Sequence, residues 1–166
     1  NPNTIYKKLT VDGEKWIVSE ECAHKLEFFE KQITINGDIA GSEIIGKYAK
    51  THDGRDIPIL PADFVEPGMG TGLVMSVPGH APKDYQALID LKAKNHELAV
   101  KIEPISIIST EGYGKFPAQE ICEKLGVSNQ SDEKLEEATK ELYLKEFTDG
   151  KLNERCGQFN NQKVQF

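Results

Sequence analysis

Residues 68–92 read GMGTGLVMSVPGHAPKDYQALIDLK. They run from a glycine-rich loop through a compact apolar stretch (73–77) and a second loop (78–82) to an amphipathic segment. The apolar stretch has strand length. From Pro82 the pattern becomes helical, with Tyr85, Leu88 and Ile89 recurring at one-face spacing. Proline suits the first helical position, because its missing N–H would be unpaired there anyway.

Upstream, strand-like runs alternate with turn signals. Residues 5–11 are β-compatible, Asp12-Gly13 is a tight-turn dipeptide, and residues 15–18 read as the return strand. Ser19 follows as a helix N-cap, with Glu20 and Glu21 in the first turn. That helix is predicted to reach Phe28 or Phe29. Residues 32–35 form a further β-rich run ending at an Asn36-Gly37 turn. Residues 44–49 lead to a turn at His52-Asp53-Gly54, and the proline in 57–60 marks an edge strand. Trp16, Phe28, Phe29 and Met75 read as core.

Downstream, residues 104–109 are a strand candidate, followed by a Gly112-Tyr113-Gly114 turn and a helix over 117–125 stopped by Gly126. A Ser131 cap opens a helix over 132–147, with Glu136–Lys140 and Glu141–Lys145 at four-residue spacing and Gly150 beyond its end. Residues 158–166 are polar and weakly determined. The pattern is a mixture of strands and helices.

The chain has 166 residues, 38% hydrophobic and 28% charged, which suits one globular domain. No apolar run approaches the ~18 residues of a membrane span, and the opening NPNTIYKKL lacks a signal-peptide core. With 20 Lys+Arg against 27 Asp+Glu, the net charge is −7. That charge argues against gripping nucleic acid by phosphate neutralisation alone, though not against touching a nucleic-acid end. The cysteines Cys22, Cys122 and Cys156 form no Cys-x-x-Cys pair and read as reduced thiols of a cytoplasmic protein. His24, His52 and His96 are scattered, so no metal site is expected.

The glycines at 68, 70 and 72 invite a nucleotide-binding reading, but they precede a strand instead of opening a helix, and the P-loop lysine is absent. Taken alone they are a turn or bulge needing positive φ. Asp84 alone is a carboxylate complementing a helix dipole, or else a counter-ion for a cation held over the loops. His80 alone is a solvated loop histidine. No Ser/His/Asp or Cys/His order is evident.

As a whole string, residues 68–92 resemble the editing domain inserted into the catalytic domain of leucyl-tRNA synthetases. In that family a G-T-G turn leads into a hydrophobic strand, then V-P, a short polar loop, and an aspartate opening a helix. WIVSEECAHKL at 16–26 and the stretches EIIGKY (43–48) and ILPADFV (59–65) fit as well. EGYGKFPAQEICEKLGVSNQSDEKLEEATKELYLKEFTDGKL, residues 111–152, is similar to a helical insertion of the archaeal and eukaryotic cytosolic branch. Ala81, where bacterial relatives often carry an acidic residue, suits that branch. Isoleucyl- and valyl-tRNA synthetases share the domain but differ at HAPKDY.

The resemblance implies a mixed α/β fold with a β-barrel-like core of mostly antiparallel strands decorated by helices, over 1–166 as one domain. It implies hydrolysis of the ester between a wrong amino acid (isoleucine, norvaline or methionine-like) and the 3′-terminal adenosine of tRNA-Leu. Asp84 would bind the substrate's α-ammonium. Met75 and Val77 would line the side-chain pocket, Gly70, Thr71 and Gly72 would lie along the adenosine, and His80 and Tyr85 would stand beside the pocket. The implied domain needs no cofactor or metal; the full synthetase uses ATP and Mg²⁺. Its partners would be the tRNA-Leu acceptor end and the rest of the synthetase, with the domain a monomer. The family's threonine-rich strand, which blocks leucine, would precede Asn1, so the sequence reads as a fragment. A non-catalytic module that docks tRNA ends is the alternative.

Overall fold

The computed structural model describes residues 1–165. The chain divides into two compact units, Asn1–Met75 and the residues from Ser76 onward.

The first unit is built on a three-stranded antiparallel sheet of β1 (Ile5–Val11), β2 (Glu14–Ser19) and β3 (Ile33–Ala40), with β1 in the centre. β1 and β2 form the expected hairpin, Val11 facing Glu14. Asp12 and Gly13 both take positive φ (50° and 91°), which matches the twist of a two-residue hairpin. Ser19 caps α1 (Glu20–Leu26), its Oγ accepting the Cys22 N–H at 3.1 Å. Leu9, Val11, Val18 and Cys22 make the core between sheet and helix, with Trp16 packed against it. Tyr6, on the other face of β1, is fully buried, and its hydroxyl donates to the Gly72 carbonyl at 2.9 Å.

Two expectations fail here. The helix stops at Leu26, and Phe28 and Phe29 are 90% and 62% exposed instead of core, because they lie in the turn that leaves the helix. Asn36-Gly37 is no strand-ending turn. Lys8 faces Gly37 while Leu9 faces Ile35, so Asn36 is the extra residue of a β-bulge and β3 runs on to Ala40. Positive φ at Gly37 (130°) serves that bulge. A short helix α2 (Gly41–Ile44) then leads to the hairpin of β4 (Tyr48–Lys50) and β5 (Asp56–Pro58), turned at 51–55 as expected.

In the second unit, α3 (Pro82–Ala93), α4 (Pro117–Leu125) and α5 (Lys134–Asp149) enclose a core of Tyr85, Ala118, Ile121, Cys122, Leu135, Ala138 and Leu142. α4 has the expected ends, Pro117 at its first turn and Gly126 in the left-handed region at φ 63°. α5 begins two residues later than expected, and Ser131 does not cap it. Asp132, two residues before the helix, ties the preceding turn to its start: its Oδ1 accepts the Lys134 N–H at 3.1 Å, and its Oδ2 accepts the Ser128 N–H at 3.0 Å. The expected pairs along α5 rearrange. Packing of α4 brings Lys124 to Glu141 at 2.6 Å, and Lys145 pairs with Asp149 instead.

Residues 104–109 yield only β6 (Ile108–Ser109), paired with β7 (Lys151–Leu152). The reason is visible in the preceding residue: the Ile107 N–H is taken by His80, and so is unavailable to a ladder. Two 3₁₀ turns over Glu154–Phe159, kinked at Gly157, follow, and the Val164 N–H donates back to the Gly150 carbonyl.

Residues 73–77, expected as a strand, lie in neither helix nor strand. They have no ladder partner among the described residues; side chains take their N–H groups instead, Thr71 Oγ1 that of Leu73 and Asp84 that of Val77. Met75 is accordingly 68% exposed, not core. The class is mixed α/β with antiparallel sheets and helices, and among the described residues no sheet closes into a barrel. Among the described residues no helix is long and apolar enough to cross a membrane.

Candidate active site

The residues singled out in the sequence fall in both units. Gly70, Thr71, Gly72 and Met75 belong to the first. Gly70 and Gly72 take positive φ (57° and 73°). The Thr71 carbonyl accepts the Ser19 N–H at 2.8 Å, pinning the loop to the end of β2. At Gly72 a Cβ would stand 2.7 Å from the Ser19 Cβ, so only glycine lets the loop lie so close. Met75 follows as an exposed thioether side chain.

Val77, His80, Asp84 and Tyr85 belong to the second unit. The Val77 carbonyl accepts the N–H groups of His80 (3.0 Å) and Ala81 (2.9 Å), closing a tight turn just before α3. Asp84, in the first turn of α3, reaches back over it, and its Oδ2 accepts the Val77 N–H at 2.7 Å. Ala81 has no side chain able to cap the helix, so the Asp84 carboxylate also occupies the dipole's positive end. Its Oδ1 has no protein hydrogen-bond partner among the described residues. Burial pushes the Asp84 carboxyl above the ordinary carboxylate range, and the Val77 hydrogen bond opposes that shift. A half-buried carboxylate with a free oxygen is suited to a cationic group that replaces its lost water.

His80 is not the solvated loop histidine of the sequence reading. It is 7% exposed, and both ring nitrogens are engaged. Nε2 accepts the Ile107 N–H at 2.9 Å, and Nδ1 lies 2.6 Å from Oε1 of Glu146, itself only 5% exposed. An N–H can only donate, so Nε2 offers its lone pair and the ring proton sits on Nδ1, facing the Glu146 carboxylate. The Tyr85 ring lies in the hydrophobic core and seats α3.

Two residues on α5 escaped the sequence reading. Glu146 continues the stripe Leu135, Ala138, Leu142 at helical spacing, a signal that would have placed it facing inward. Tyr143, one turn before Glu146, lies in the field of Asp84: burial foremost, then the charges of Asp84 and Glu146, push its phenol up. Burial pushes the Cys122 thiol up to about 11, so it stays protonated. Among the described residues no three His, Cys, Asp or Glu side chains gather as a metal site.

The family model described as "Leucyl-tRNA synthetase, editing domain" matches residues 21–143. The chain belongs to that family. This editing domain is 45% identical over 181 aligned positions to the leucine–tRNA ligase of Methanococcus maripaludis strain S2, covering 99% of this chain and 18% of the relative. It is 46% identical to that of Methanothrix thermoacetophila, again covering 99% of this chain and 18% of the relative. The editing domain thus spans about 18% of the length of these curated relatives. Among solved structures, the editing domain of the Plasmodium falciparum cytosolic leucyl-tRNA synthetase superposes with a TM-score of 0.87 at 22% identity, over 99% of this chain and 65% of that one. The editing domain therefore has the fold of its family.

Proposed function

We propose that this editing domain hydrolyses the ester of a mischarged amino acid (isoleucine, norvaline or a methionine-like residue) on the 3′-terminal adenosine of tRNA-Leu, within a cytoplasmic leucyl-tRNA synthetase. The observation that carries the reading is the Asp84 carboxylate, half-buried at a helix N-terminus with Oδ1 open. An aminoacyl ester carries a free α-ammonium, and Asp84 anchors it. That contact fixes the scissile carbonyl for attack by a water molecule. The water's oxygen bonds to the carbonyl carbon, the ester C–O bond breaks, and the adenosine leaves as a free hydroxyl while the amino acid leaves as a carboxylic acid. The family resemblance assigns Met75 and Val77 to the amino-acid side chain and Gly70, Thr71 and Gly72 to the adenosine, and residues 111–152 are the archaeal and eukaryotic type of insertion. The need for the site is energetic: an apolar synthetic pocket separates one methylene by only about 1–3 kcal/mol, a figure the aminoacyl-tRNA synthetases themselves exemplify.

The test is deacylation of isoleucyl-tRNA-Leu against leucyl-tRNA-Leu by the intact synthetase carrying this domain. Loss of the isoleucyl ester with the leucyl ester spared is expected. If neither ester is cleaved, a tRNA-end docking module is the better account.

The same assay predicts a pH profile. Asp84 must be ionised to hold the ammonium, so kcat/KM rises with pH through its carboxyl. Because burial raises that carboxyl, the acid limb lies above the ordinary carboxylate range. At the alkaline end kcat/KM falls as the substrate's amino group, near the ~7.7–8.0 of an α-amine, loses its proton. An acid limb at or below the ordinary aspartate range would contradict the assignment.

A further inference from the structure

His80 sits on the turn that leads into the helix of Asp84, yet it faces away from solvent. Three elements clamp that turn. A Cβ on Gly79 would overlap the Ile105 carbonyl, so the turn lies directly on the 105–108 segment. The Ala118 N–H, at the start of α4, donates to the Gly79 carbonyl at 3.3 Å. His80 then joins the 105–108 segment to α5 through one ring, Nε2 accepting the backbone N–H groups of Ile107 and Ile108 and Nδ1 facing the Glu146 carboxylate. Glu146 lies 66 residues away in sequence and is buried, as is His80. Burying a carboxylate is costly unless it is hydrogen-bonded, so this pair forms only in the folded unit with α5 docked.

The consequence runs through short hydrogen-bonded steps. His80 and Ala81 donate their N–H groups to the Val77 carbonyl, and Val77 donates its own to Asp84. A shift of the His80 ring therefore moves the backbone against which the Asp84 carboxylate rests. We propose that His80 and Glu146 are positioning residues for the editing reaction, locking the 77–81 turn so that Asp84 presents its free oxygen in one place. Neither touches the reacting atoms. This inference rests on the role proposed above for Asp84.

The test uses the intact synthetase, with kcat and KM for deacylation of isoleucyl-tRNA-Leu. Glu146→Gln keeps an oxygen in reach of Nδ1 and removes the charge. Glu146→Asp keeps the charge but withdraws the oxygen by one methylene. His80→Phe keeps the ring and removes both nitrogens. Glu146→Asp and His80→Phe are expected to lower kcat by ~10–100-fold, as a misplacement of about 1 Å does, with KM for the tRNA little changed. Glu146→Gln is expected to retain most of the rate. Leucylation of tRNA-Leu by each preparation reports whether the enzyme is folded; should His80→Phe fail there, the Glu146→Asp and Glu146→Gln pair decides alone.

Wild-type kcat in Glu146→Asp, or equal loss in Glu146→Gln and Glu146→Asp, would overturn the inference. Asp84→Ala run alongside separates the two levels: if it abolishes deacylation while Glu146→Asp keeps the wild-type kcat, the positioning role falls and the editing site stands. If Asp84→Ala leaves the rate unchanged, the editing assignment fails first.

Discussion

Asp84→Ala is expected to lower deacylation of isoleucyl-tRNA-Leu by ~100-fold or more, the scale of loss when a reacting group is no longer held in place. On the proposed reading the carboxylate has two jobs, and they are separable. One oxygen accepts the Val77 N–H and steadies the turn; the other has no protein hydrogen-bond partner among the described residues. Asp84→Asn keeps an acceptor for Val77 and gives up the negative charge. If the aspartate's work is to bind an ammonium, Asp84→Asn should be nearly as poor as Asp84→Ala. If its work is only to hold the turn, Asp84→Asn should keep most of the rate. Parallel measurement of leucylation shows whether either variant has lost the synthetase fold. An asparagine enzyme that edits normally would remove Asp84 from substrate contact.

The second large effect is on stability. Leu142 is fully buried where α5 meets α3 and α4. Leu142→Ala is expected to destabilise the chain by about 2–5 kcal/mol, from lost burial plus the cavity left behind. Leu144, two residues on, is 66% exposed on the same helix, and Leu144→Ala is expected to stay within about 0.5 kcal/mol of wild type. Urea unfolding checks both, as a fall in midpoint at unchanged slope. Because Glu146 follows Leu142 on the buried stripe, Leu142→Ala should also weaken deacylation below its unfolding midpoint. Equal midpoints for the two alanine variants would mean that α5 does not carry the core of this unit.

The candidate site was legible only in part, for a reason of scale. Asp84 alone is indistinguishable from any first-turn carboxylate; it gained meaning from the whole string 68–92. His80 misled because a histidine between glycine and alanine in a proline-rich loop looks solvated. Its burial is decided by Glu146 and Ile107, both remote in sequence. Glu146 was hidden for a related reason. A glutamate in a charged helix reads as solvent-facing unless its spacing from Leu135, Ala138 and Leu142 is followed.

The same division runs through the fold. Local chemistry by itself determined the Asp12-Gly13 hairpin, the Ser19 cap, the Pro82 helix start, and both ends of α4 at Pro117 and Gly126. Each depends on backbone preferences or hydrogen bonds within a few residues, which the neighbouring sequence specifies. Tertiary structure decided the rest. Asn36-Gly37 became a bulge because β1 continues past it and supplies partners for Ile39 and Ala40. Residues 73–77 stayed out of a sheet because a strand needs a neighbour, and Thr71 and Asp84 take backbone groups that a ladder would have used. Asp132, not Ser131, ties the preceding turn to the start of α5 by bonding Ser128 and Lys134 together. Apolar pattern and turn chemistry are properties of short segments; which strand finds a partner and which carboxylate is buried depend on residues brought together only when the chain folds.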